Sequence, residues 1–280
     1  MTQGPHITGA TRLYAIIGDP VVQVRSPEVF TQRFLEQAID AVLVPMHVPA
    51  DRFDTVTPAL LALGNLDGVL VTIPFKARMA AYAARIGPTG TTIGAVNALR
   101  READGSWTAD MFDGVGFVRG AERKGERIRG RRVALFGAGG AGSAIACELA
   151  QGGVESIDII DTDTPRATRL AATLTRAFPR CKLVATGALR PGIDMIVNAS
   201  PVGMRPDDDM PGAIGRLDPR TLVGDVVITP TPTALIRHAM QCGCAYVDGR
   251  DMHAGQVDAL LAFFAAASRA TSAAPSDAAH

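Results

Sequence analysis

The amino-acid sequence predicts an α/β protein that contains a dinucleotide-binding domain, and three observations lead to that prediction. A short apolar run breaks into a glycine-rich turn from Gly137 to Gly142, and a helix-compatible segment follows it. Apolar runs alternate with helical segments through the second half of the chain, which is typical of a parallel sheet covered by helices. The length of 280 residues is enough for one or two domains of ordinary size.

The first half of the chain is predicted to alternate strands with helices. Ser26 should be the N-cap of the first helix, with Pro27 at the first helical position, and the helix should end near Ala38. Pro45 places the second strand near a sheet edge, because proline cannot donate a hydrogen bond to a neighbouring strand. The predicted strands are Leu13–Ile17, Ala41–Val48, Gly68–Ile73, Gly94–Leu99 and Gly105–Ala109. The other helices should span about Asp51–Leu63 and begin at Pro74 and at Asp113.

The second half repeats the same alternation after the glycine turn. The predicted strands are Val133–Phe136, Ser156–Ile160, Leu183–Ala185, Asp194–Asn198, Thr221–Ile228 and Ala245–Val247. The predicted helices are Ser143–Ala150, Pro165–Ala177, Pro232–Cys242 and a closing helix over Met252–Ala267. The last residues, 268–280, are rich in alanine and serine, and we expect them to be disordered.

The composition is that of an ordinary soluble globular protein and excludes several classes of function. The 28 basic residues balance the 28 acidic residues, so no basic surface predicts a nucleic-acid partner or a membrane partner. No apolar run approaches the ~18 residues of a membrane span, and residues 1–10 lack the apolar core of a signal peptide. The cysteines are too few for a disulfide scaffold and form no typical metal-binding group; they are Cys147, Cys181, Cys242 and Cys244. We therefore expect reduced thiols, no metal site and a cytoplasmic protein.

The glycine turn matches the spacing of a dinucleotide-binding fingerprint. Gly137 allows a tight turn, Gly139 lets the backbone approach a pyrophosphate, and Gly142 lets the helix pack on the strand. The helix that follows directs free N–H groups at the phosphates. Asp161 lies 19 residues beyond Gly142, near the distance expected for an acid that binds the adenosine ribose. The predicted cofactor loop is Gly137, Ala138, Gly139, Gly140, Ala141 and Gly142, although a turn with this pattern can also bind nothing.

Several short motifs fall in one order along the chain. They are Gly18-Asp-Pro20 with Ser26-Pro27, Val71-Thr-Ile-Pro-Phe-Lys76, Gly94-Ala-Val-Asn97, Asp113-Gly-Val-Gly-Phe117, the glycine turn, Asn198-Ala-Ser-Pro-Val-Gly-Met204, and Met252 with Gln256. In this combination the chain resembles the shikimate/quinate dehydrogenase family, from about Leu13 to Phe264.

The resemblance implies two domains with the active site in the cleft between them. Residues 12–113 would form an N-terminal α/β substrate domain, and the closing helix at 252–267 would return to it. Residues 114–251 would form the Rossmann NAD(P)-binding domain. The family's activity is hydride transfer between a nicotinamide and a ring secondary alcohol.

The resemblance also assigns roles to individual residues. Lys76 falls on the catalytic lysine and Asp113 on its partner aspartate. The expected substrate-binding residues are Ser26, Thr72, Asn97 and Gln256. In addition to the glycine loop and Asp161, the expected cofactor-binding residues are Val226 and Gly249.

The chemistry of alcohol oxidation is consistent with these roles. A proton acceptor must lie beside the carbinol oxygen while the hydride leaves the carbon. A lysine can serve when a confined site lowers its pKa and a carboxylate fixes its position. Taken singly, Lys76 and Asp113 could instead form a surface ion pair, and Asn97 could be a turn residue.

The chain departs from the family pattern around the substrate ring. Val24 stands where the family has a carboxylate-binding serine, and Ile228 stands where it has a tyrosine. Leu70 and Met111-Phe112 replace further polar residues of the family. We therefore expect a divergent, shikimate-dehydrogenase-like member with a different substrate preference.

The cofactor loop also departs from the family pattern. Members that use NADP carry Asn-Arg-Thr after the second Rossmann strand, and this chain has Asp161-Thr162-Asp163. Asp161 predicts a preference for NAD over NADP, although Arg166 or Arg169 could partly restore NADP binding.

Two hypotheses about function follow. The first is an NAD(P)-dependent dehydrogenase of a cyclic polyol or hydroxy acid, active as a monomer or homodimer. The alternative is a catalytically weak member of the family that binds a ligand or regulates. Lys76 together with Asp113 favours the enzyme, because a binding protein has no need of a proton-transfer pair.

Overall fold

The computed structural model describes the backbone of residues 4–272 and the side chains of residues 4–266. The chain forms two compact units. The first unit runs to Met111 and resumes at Leu260, and the second unit is Phe112–Ala259.

The first unit contains a mixed six-stranded sheet with the strand order β2-β1-β3-β5-β6-β4. Its strands are β1 Arg12–Gly18, β2 Ala41–His47, β3 Leu66–Val71, β4 Arg85–Ile86, β5 Ala98–Arg101 and β6 Trp107–Asp110. β1 pairs in parallel with both β2 and β3, whereas β5 runs antiparallel to β3 and β6. β2 is an edge strand, which confirms the position predicted from Pro45.

The helices of the first unit differ from the prediction at several ends. They are α1 Ser26–Glu36, α2 Phe53–Leu61, α3 Lys76–Met79 and α4 Pro88–Ile93. Ser26 is the first residue of α1 rather than its N-cap, because the helix already begins after Arg25. The helix ends at Glu36 instead of Ala38, since Ala38 adopts a left-handed φ of 54° and the Ile39 N–H bonds to the Phe34 carbonyl oxygen at 2.8 Å.

Aromatic side chains fill the core of the first unit on both faces of its sheet. On one face the rings of Phe53 and Phe75 stack with centroids 4.4 Å apart. On the other face Tyr14 meets Phe264 edge-on at 5.0 Å, and a side chain at Gly68 would collide with both rings. Phe264 belongs to the last helix of the chain, so the predicted return of the closing helix to the first domain is confirmed.

The second unit contains a six-stranded parallel sheet with the strand order β12-β11-β10-β7-β8-β9. Its strands are β7 Arg132–Phe136, β8 Ser156–Ile160, β9 Lys182–Ala185, β10 Met195–Asn198, β11 Leu222–Asp225 and β12 Tyr246–Val247. Its helices are α5 Asp113–Arg123, α6 Gly140–Gln151, α7 Thr164–Ala177, α8 Ala234–Gln241 and the first part of α9 Gly249–Ser272. This order confirms the predicted Rossmann sheet.

Several predicted ranges change at their ends in the second unit, including those of β11 and the closing helix α9. β11 stops at Asp225 rather than Ile228, because the Val227 N–H bonds back to the Asp225 carboxylate at 3.1 Å instead of to a neighbouring strand. α9 runs through Ser272, so residues 268–272 of the tail that we expected to be disordered are helical, while residues 273–280 lie outside the described residues.

The units divide the chain differently from the limits that the resemblance implies. Asp113 and residues 252–259 lie in the second unit, not with the substrate domain. The packing of α5 against α9 explains this, because side chains at Gly116 or Gly255 would collide with the opposite backbone.

Over the part of the chain that the structure describes, every helix is too short or too polar to cross a bilayer.

Candidate functional site

The carboxyl ends of β1, β2 and β3 meet at one edge of the first sheet, because these strands are parallel. Thr72 follows β3 at this edge, and its N–H donates to the Ile17 carbonyl oxygen at 2.9 Å. A side chain at Gly18 would collide with the Thr72 methyl group. Thr72 is therefore fixed against the end of β1.

Backbone hydrogen bonds bring Lys76 and Asn97 to the same region of the first unit. Lys76 is half-buried at the first position of α3, and its carbonyl oxygen accepts from the Val96 N–H at 2.9 Å. Asn97 is only 5% exposed, and its carbonyl oxygen accepts from the Val71 N–H at 2.8 Å. Backbone hydrogen bonds thus connect the segments that carry Thr72, Lys76 and Asn97.

Ser26 is buried at the start of α1, also in the first unit. The Arg25 guanidinium beside it pairs with Glu28, 2.5 Å away. The Gln23 side-chain amide donates to the Pro20 carbonyl oxygen at 3.0 Å. In this arrangement Arg25 and Gln23 are each engaged by a neighbour on their own segment.

An Asp–His pair at this edge was missed by the sequence analysis. His47 Nε2 lies 2.8 Å from Asp19 Oδ1, and Asp19 Oδ2 accepts from the Ala50 N–H at 3.0 Å. The hydrogen bond to His47, and to a smaller extent the bond from the Ala50 N–H, hold the pKa of Asp19 below its usual range. The positions of Asp19 and His47 at the ends of adjacent parallel strands were the signal that could have revealed the pair.

The second unit brings Asp113 and Gln256 into contact. Asp113 is the first residue of α5 and is 4% exposed. Its Oδ1 accepts a hydrogen bond from Gln256 Nε2 at 3.1 Å. The helices approach closely because a side chain at Gly116 would meet the Gln256 Cγ and the Met252 carbonyl oxygen. One residue expected to act in proton transfer and one expected to bind substrate therefore lie together.

The glycine loop of the second unit contains two glycines that close packing requires and one glycine that faces open space. Gly137 has a φ of 98°, and a Cβ on it would lie 2.8 Å from the Ala199 backbone. A Cβ on Gly142 would collide with the Gly137 carbonyl oxygen. Around Gly139, by contrast, no heavy atom of the described residues beyond its chain neighbours lies within 4 Å of such a Cβ. Space is therefore left where a pyrophosphate would approach.

The start of α6 supplies the donors that such a group needs. Gly139 is the N-cap of this 12-residue helix, and among the described residues no side chain caps it. The first N–H groups of an uncapped helix and the positive end of its dipole favour an anion. The loop from Gly137 to Gly142 therefore fits a dinucleotide.

Asp161 is tied directly to the glycine loop. Its Oδ2 accepts from the Ala138 N–H at 2.7 Å, and its Oδ1 accepts from the Asp163 N–H at 2.8 Å. A carboxylate offers about four acceptor positions, so acceptor capacity remains for a ribose hydroxyl. The contact with Ala138 could not be predicted from the spacing alone.

A buried polar network lies at the carboxyl ends of β10 and β11. Asp225 accepts hydrogen bonds from Asn198 Nδ2 at 3.0 Å and from Thr233 Oγ1 at 2.7 Å. Ser200 Oγ donates to Asn198 Oδ1 at 2.6 Å. Burial raises the pKa of the Asp225 carboxyl to about 6 despite these bonds. The motif that begins at Asn198 was noted in the sequence without a role in such a network, and the Thr233 cap before an apolar helix was the local signal for it.

The structure also brings together Val226 and Gly249, the remaining residues expected to bind cofactor. A Cβ on Gly249 would lie 2.6 Å from the Val226 carbonyl oxygen. The first unit thus holds Ser26, Thr72, Lys76 and Asn97, and the second unit holds Asp113, Gln256 and every expected cofactor residue.

Comparison with known protein families gives two matches. Residues 16–99 match the model of the shikimate dehydrogenase substrate binding domain. Residues 115–171, which include the glycine loop and β8, match the ThiF family.

Comparison with individual proteins gives similarity over most of the chain. The chain is 34% identical to a shikimate dehydrogenase (NADP(+)) of Symbiobacterium thermophilum, over 87% of this chain and 85% of that one. It is similar to the structure of a quinate dehydrogenase from Corynebacterium glutamicum in complex with NAD, with 29% identity, a TM-score of 0.82 and coverage of 92% and 96%. It is also similar to the ligand-free 5-ketofructose reductase of a Gluconobacter strain, with 25% identity, a TM-score of 0.81 and coverage of 91% and 92%.

Proposed function

The chain belongs to the shikimate dehydrogenase family, an oxidoreductase family that acts on CH–OH groups with a nicotinamide cofactor, and we propose that it catalyses reversible hydride transfer at a ring secondary alcohol. The proposed substrate is a cyclic polyol or hydroxy acid. The observation that carries the proposal is the hydrogen bond between Gln256 and Asp113, 143 residues apart in the chain. It joins two side chains that the resemblance assigns separately to substrate binding and to proton transfer.

We propose that Lys76 is the group that takes the proton from the substrate hydroxyl, with Asp113 as its carboxylate partner. The nicotinamide, when bound, supplies the hydride acceptor. Lys76 is half-buried at the start of α3, where its backbone is held by Val96. A positioned acid–base group of this kind contributes roughly 10²–10⁴-fold to the rate.

Thr72 and Asn97 are proposed to bind the substrate hydroxyls. Short polar side chains on hydrogen-bonded backbone suit this task, because vicinal hydroxyls need several fixed donors and acceptors. The backbone bonds that join Thr72 to β1 and Asn97 to β3 support such a role. Gln256 fits the same task, since its amide keeps an oxygen and one N–H beyond the bond to Asp113.

We propose NAD as the preferred cofactor. Asp161 lies against the glycine loop, where a carboxylate can bind the hydroxyls of a ribose and repels a 2′-phosphate. The relatives divide on this point: the Symbiobacterium thermophilum enzyme is named for NADP(+), and the Corynebacterium glutamicum structure contains NAD. Like charges at contact distance cost several kcal/mol, so the proposed preference is roughly tenfold or more.

The proposed substrate lacks a carboxylate at the position where shikimate carries one, or carries it elsewhere. The side chains of Val24 and Ile228 cannot form hydrogen bonds with a carboxylate, and the Arg25 guanidinium is paired with Glu28. A similar fold in a 5-ketofructose reductase is compatible with this, because a ketose has no carboxylate.

A substrate screen tests the proposed function. Cyclic polyols, hydroxy acids and keto sugars are offered with NAD, NADP or their reduced forms, and nicotinamide absorbance is followed. We expect steady turnover of at least one ring alcohol that disappears in Lys76→Ala. Turnover of none of them by a folded protein that binds NAD would contradict the proposal and favour the alternative, a family member that binds a ligand or regulates.

A further inference from the structure

The side chain of Asp163 binds one residue in two ways. Its Oδ1 accepts the backbone N–H of Arg166 at 3.0 Å and so caps the start of α7. Its Oδ2 accepts from Arg166 Nε at 3.2 Å and from Nη2 at 3.0 Å. One carboxylate thus holds both the main chain and the guanidinium of Arg166.

This pair lies at the start of α7, next to the loop that is attached to the cofactor fingerprint. Asp161 accepts from the N–H of Asp163 through one oxygen and from the N–H of Ala138 through the other. The hydrogen bond from Arg166 to Asp163, and then the charge of Asp161, raise the pKa of Arg166. The guanidinium is therefore in the field of two carboxylates.

An arginine that recognises a phosphate needs donors directed at it. The guanidinium has five N–H donors in a rigid fork, and its favoured partner is a bidentate anion. Asp163 already accepts hydrogen bonds from Nε and Nη2 of Arg166, which form one of the edges that a bidentate anion would bind. A 2′-phosphate would have to displace Asp163 or approach a guanidinium whose charge is already compensated.

We propose that Asp163 is a specificity-determining residue, which holds Arg166 in a local, partly exposed ion pair and so disfavours binding of the 2′-phosphate of NADP. The inference rests on the proposed function, since it concerns the cofactor of the proposed dehydrogenase. It adds to the repulsion by Asp161 a second cause of NAD preference, because a cation next to the cofactor loop is already engaged by a carboxylate. Arg169 also lies within the electrostatic reach of Asp163, so its contribution has to be separated from that of Arg166.

Two adenosine nucleotides that differ only in the 2′-phosphate test this inference without any turnover. Adenosine 5′-monophosphate and adenosine 2′,5′-bisphosphate are titrated into the wild-type protein and into Asp163→Asn, and both dissociation constants are measured calorimetrically. Asparagine is as good an N-cap as aspartate, so α7 keeps its cap while the ion pair is lost. We expect the ratio of the two constants to shift toward the bisphosphate by about tenfold, as for one gained hydrogen bond between charged groups.

Matched variants assign the effect. Asp218 holds Arg220 in the same way, through the backbone N–H at 2.9 Å and the guanidinium Nε at 3.0 Å and Nη2 at 2.8 Å, on another part of the second unit. Asp218→Asn should leave the nucleotide ratio unchanged. Adding Arg166→Ala to Asp163→Asn should abolish the gain, whereas adding Arg169→Ala should preserve it.

The outcomes separate this inference from the proposed function. An unchanged ratio in Asp163→Asn, an equal shift in Asp218→Asn, or a gain that survives Arg166→Ala would overturn the role of Asp163, even if the dehydrogenase activity is found. Absence of turnover with every alcohol would contradict the proposed function alone. Failure of the wild-type protein and of Asp163→Asn to bind either nucleotide would contradict both.

Discussion

Gln256 Nε2 donates a hydrogen bond to Asp113 Oδ1 across 3.1 Å, joining α9 to the first residue of α5. The bond is possible because Gly116 and Gly255 let the two helices approach without side chains between them. Asp113 is nearly inaccessible to solvent. Its carboxylate is therefore oriented by a neighbour that is itself proposed to bind substrate.

Gln256→Ala tests this coupling. Loss of the amide removes a donor to Asp113 and a contact proposed for a substrate hydroxyl, so kcat/KM should fall at least tenfold, as expected for a lost hydrogen bond to a charged group. The Kd for NAD should stay the same. The control is Asp258→Asn, on the same helix as Gln256. It breaks an exposed ion pair between Asp258 and Arg123 of α5 and should leave the kinetics unchanged. Equal kinetics in Gln256→Ala and wild type would remove Gln256 from the site.

Lys76→Ala tests the proton-transfer role. We expect kcat to fall by on the order of 10²–10⁴, the usual contribution of a positioned acid–base group. Affinity for NAD should barely change, because Lys76 belongs to the first unit and the glycine loop to the second. Lys182→Ala, at an exposed lysine of β9, controls for the loss of a positive charge. A variant that keeps most of its kcat would show that another group moves the proton.

The extent to which the sequence predicts the fold depends on how local each signal is. The glycine loop and the alternation around it were predicted correctly, because tight turns and apolar runs are properties of a few consecutive residues. α4 was missed, since Pro88–Ile93 carries no apolar stripe; the side chain of Asp110 holds it by accepting from the Gly90 N–H at 2.8 Å. That bond joins residues from different segments, so no local sequence pattern predicts it.

The candidate site shows the same limit. The motif containing Asp161 was recognised from its distance to the glycines, but its bond to Ala138 depends on how β7 and β8 pair. The ion pair of Asp163 with Arg166 is local, at a spacing typical of an N-cap, and could have been predicted from the sequence. From the sequence alone, Arg166 was interpreted only as a possible ligand of the 2′-phosphate.

Substitution by alanine should have opposite effects on stability at Gly139 and at Gly142. A Cβ on Gly139 meets open space and its φ is negative at −76°, so Gly139→Ala should fold with an unchanged Tm. The added methyl group should keep the backbone from the pyrophosphate and weaken NAD binding by roughly tenfold or more, equivalent to ~1.4 kcal/mol.

Gly142→Ala is the matched structural control for that variant. Its Cβ would collide with the Gly137 carbonyl oxygen, so we expect a clear loss of stability, on the order of 1–3 kcal/mol for overpacking. Calorimetric unfolding and an NAD titration measure both effects. Undiminished NAD affinity in Gly139→Ala would argue that the loop does not bind a pyrophosphate.

Asp225 should make the protein less stable as the pH rises. Burial raises its pKa from 3.8 to about 6, so folding favours the protonated carboxyl. The destabilisation by its charge should grow between pH 4 and pH 6 and then stay constant, reaching on the order of 3 kcal/mol at one pKa unit per 1.36 kcal/mol. Asp225→Asn keeps an acceptor for Asn198 and should therefore be more stable than wild type above pH 6, but not at pH 4.

Urea unfolding of both proteins at pH 4, 5, 6 and 7.5 measures this difference. Asp218→Asn should show the opposite sign, because the hydrogen bonds from Arg220 lower the pKa of Asp218 and its charge stabilises the fold at neutral pH. A stability difference between Asp225→Asn and wild type that does not depend on pH would contradict the burial of an ionisable carboxyl at this position.

Shikimate should be at best a poor substrate, because two side chains that would bind its carboxylate are apolar. The family holds the shikimate carboxylate with two serines and a tyrosine, and this chain keeps Ser26 but has Val24 and Ile228. Two lost hydrogen bonds to a charged group cost ~3–6 kcal/mol, or roughly 10²–10⁴ in kcat/KM. Arg25, which precedes Ser26 in the chain, is an alternative ligand, and Glu28 engages it in the structure.

Restoring the polar side chains should raise activity on shikimate. Val24→Ser with Ile228→Tyr returns the two carboxylate ligands, and adding Leu70→Asn completes the family pattern at the cost of an amide in a position that is only 4% exposed. We expect the double variant to gain at least tenfold in kcat/KM for shikimate, as one recovered bond to a charged group provides. Conversion of Val56→Ser, at an exposed position of α2, is the control and should change nothing. A wild-type kcat/KM for shikimate within the ordinary enzyme range of ~10⁴–10⁸ M⁻¹s⁻¹, or a complex in which Arg25 leaves Glu28 to bind the carboxylate, would show that this chain recognises shikimate by another route.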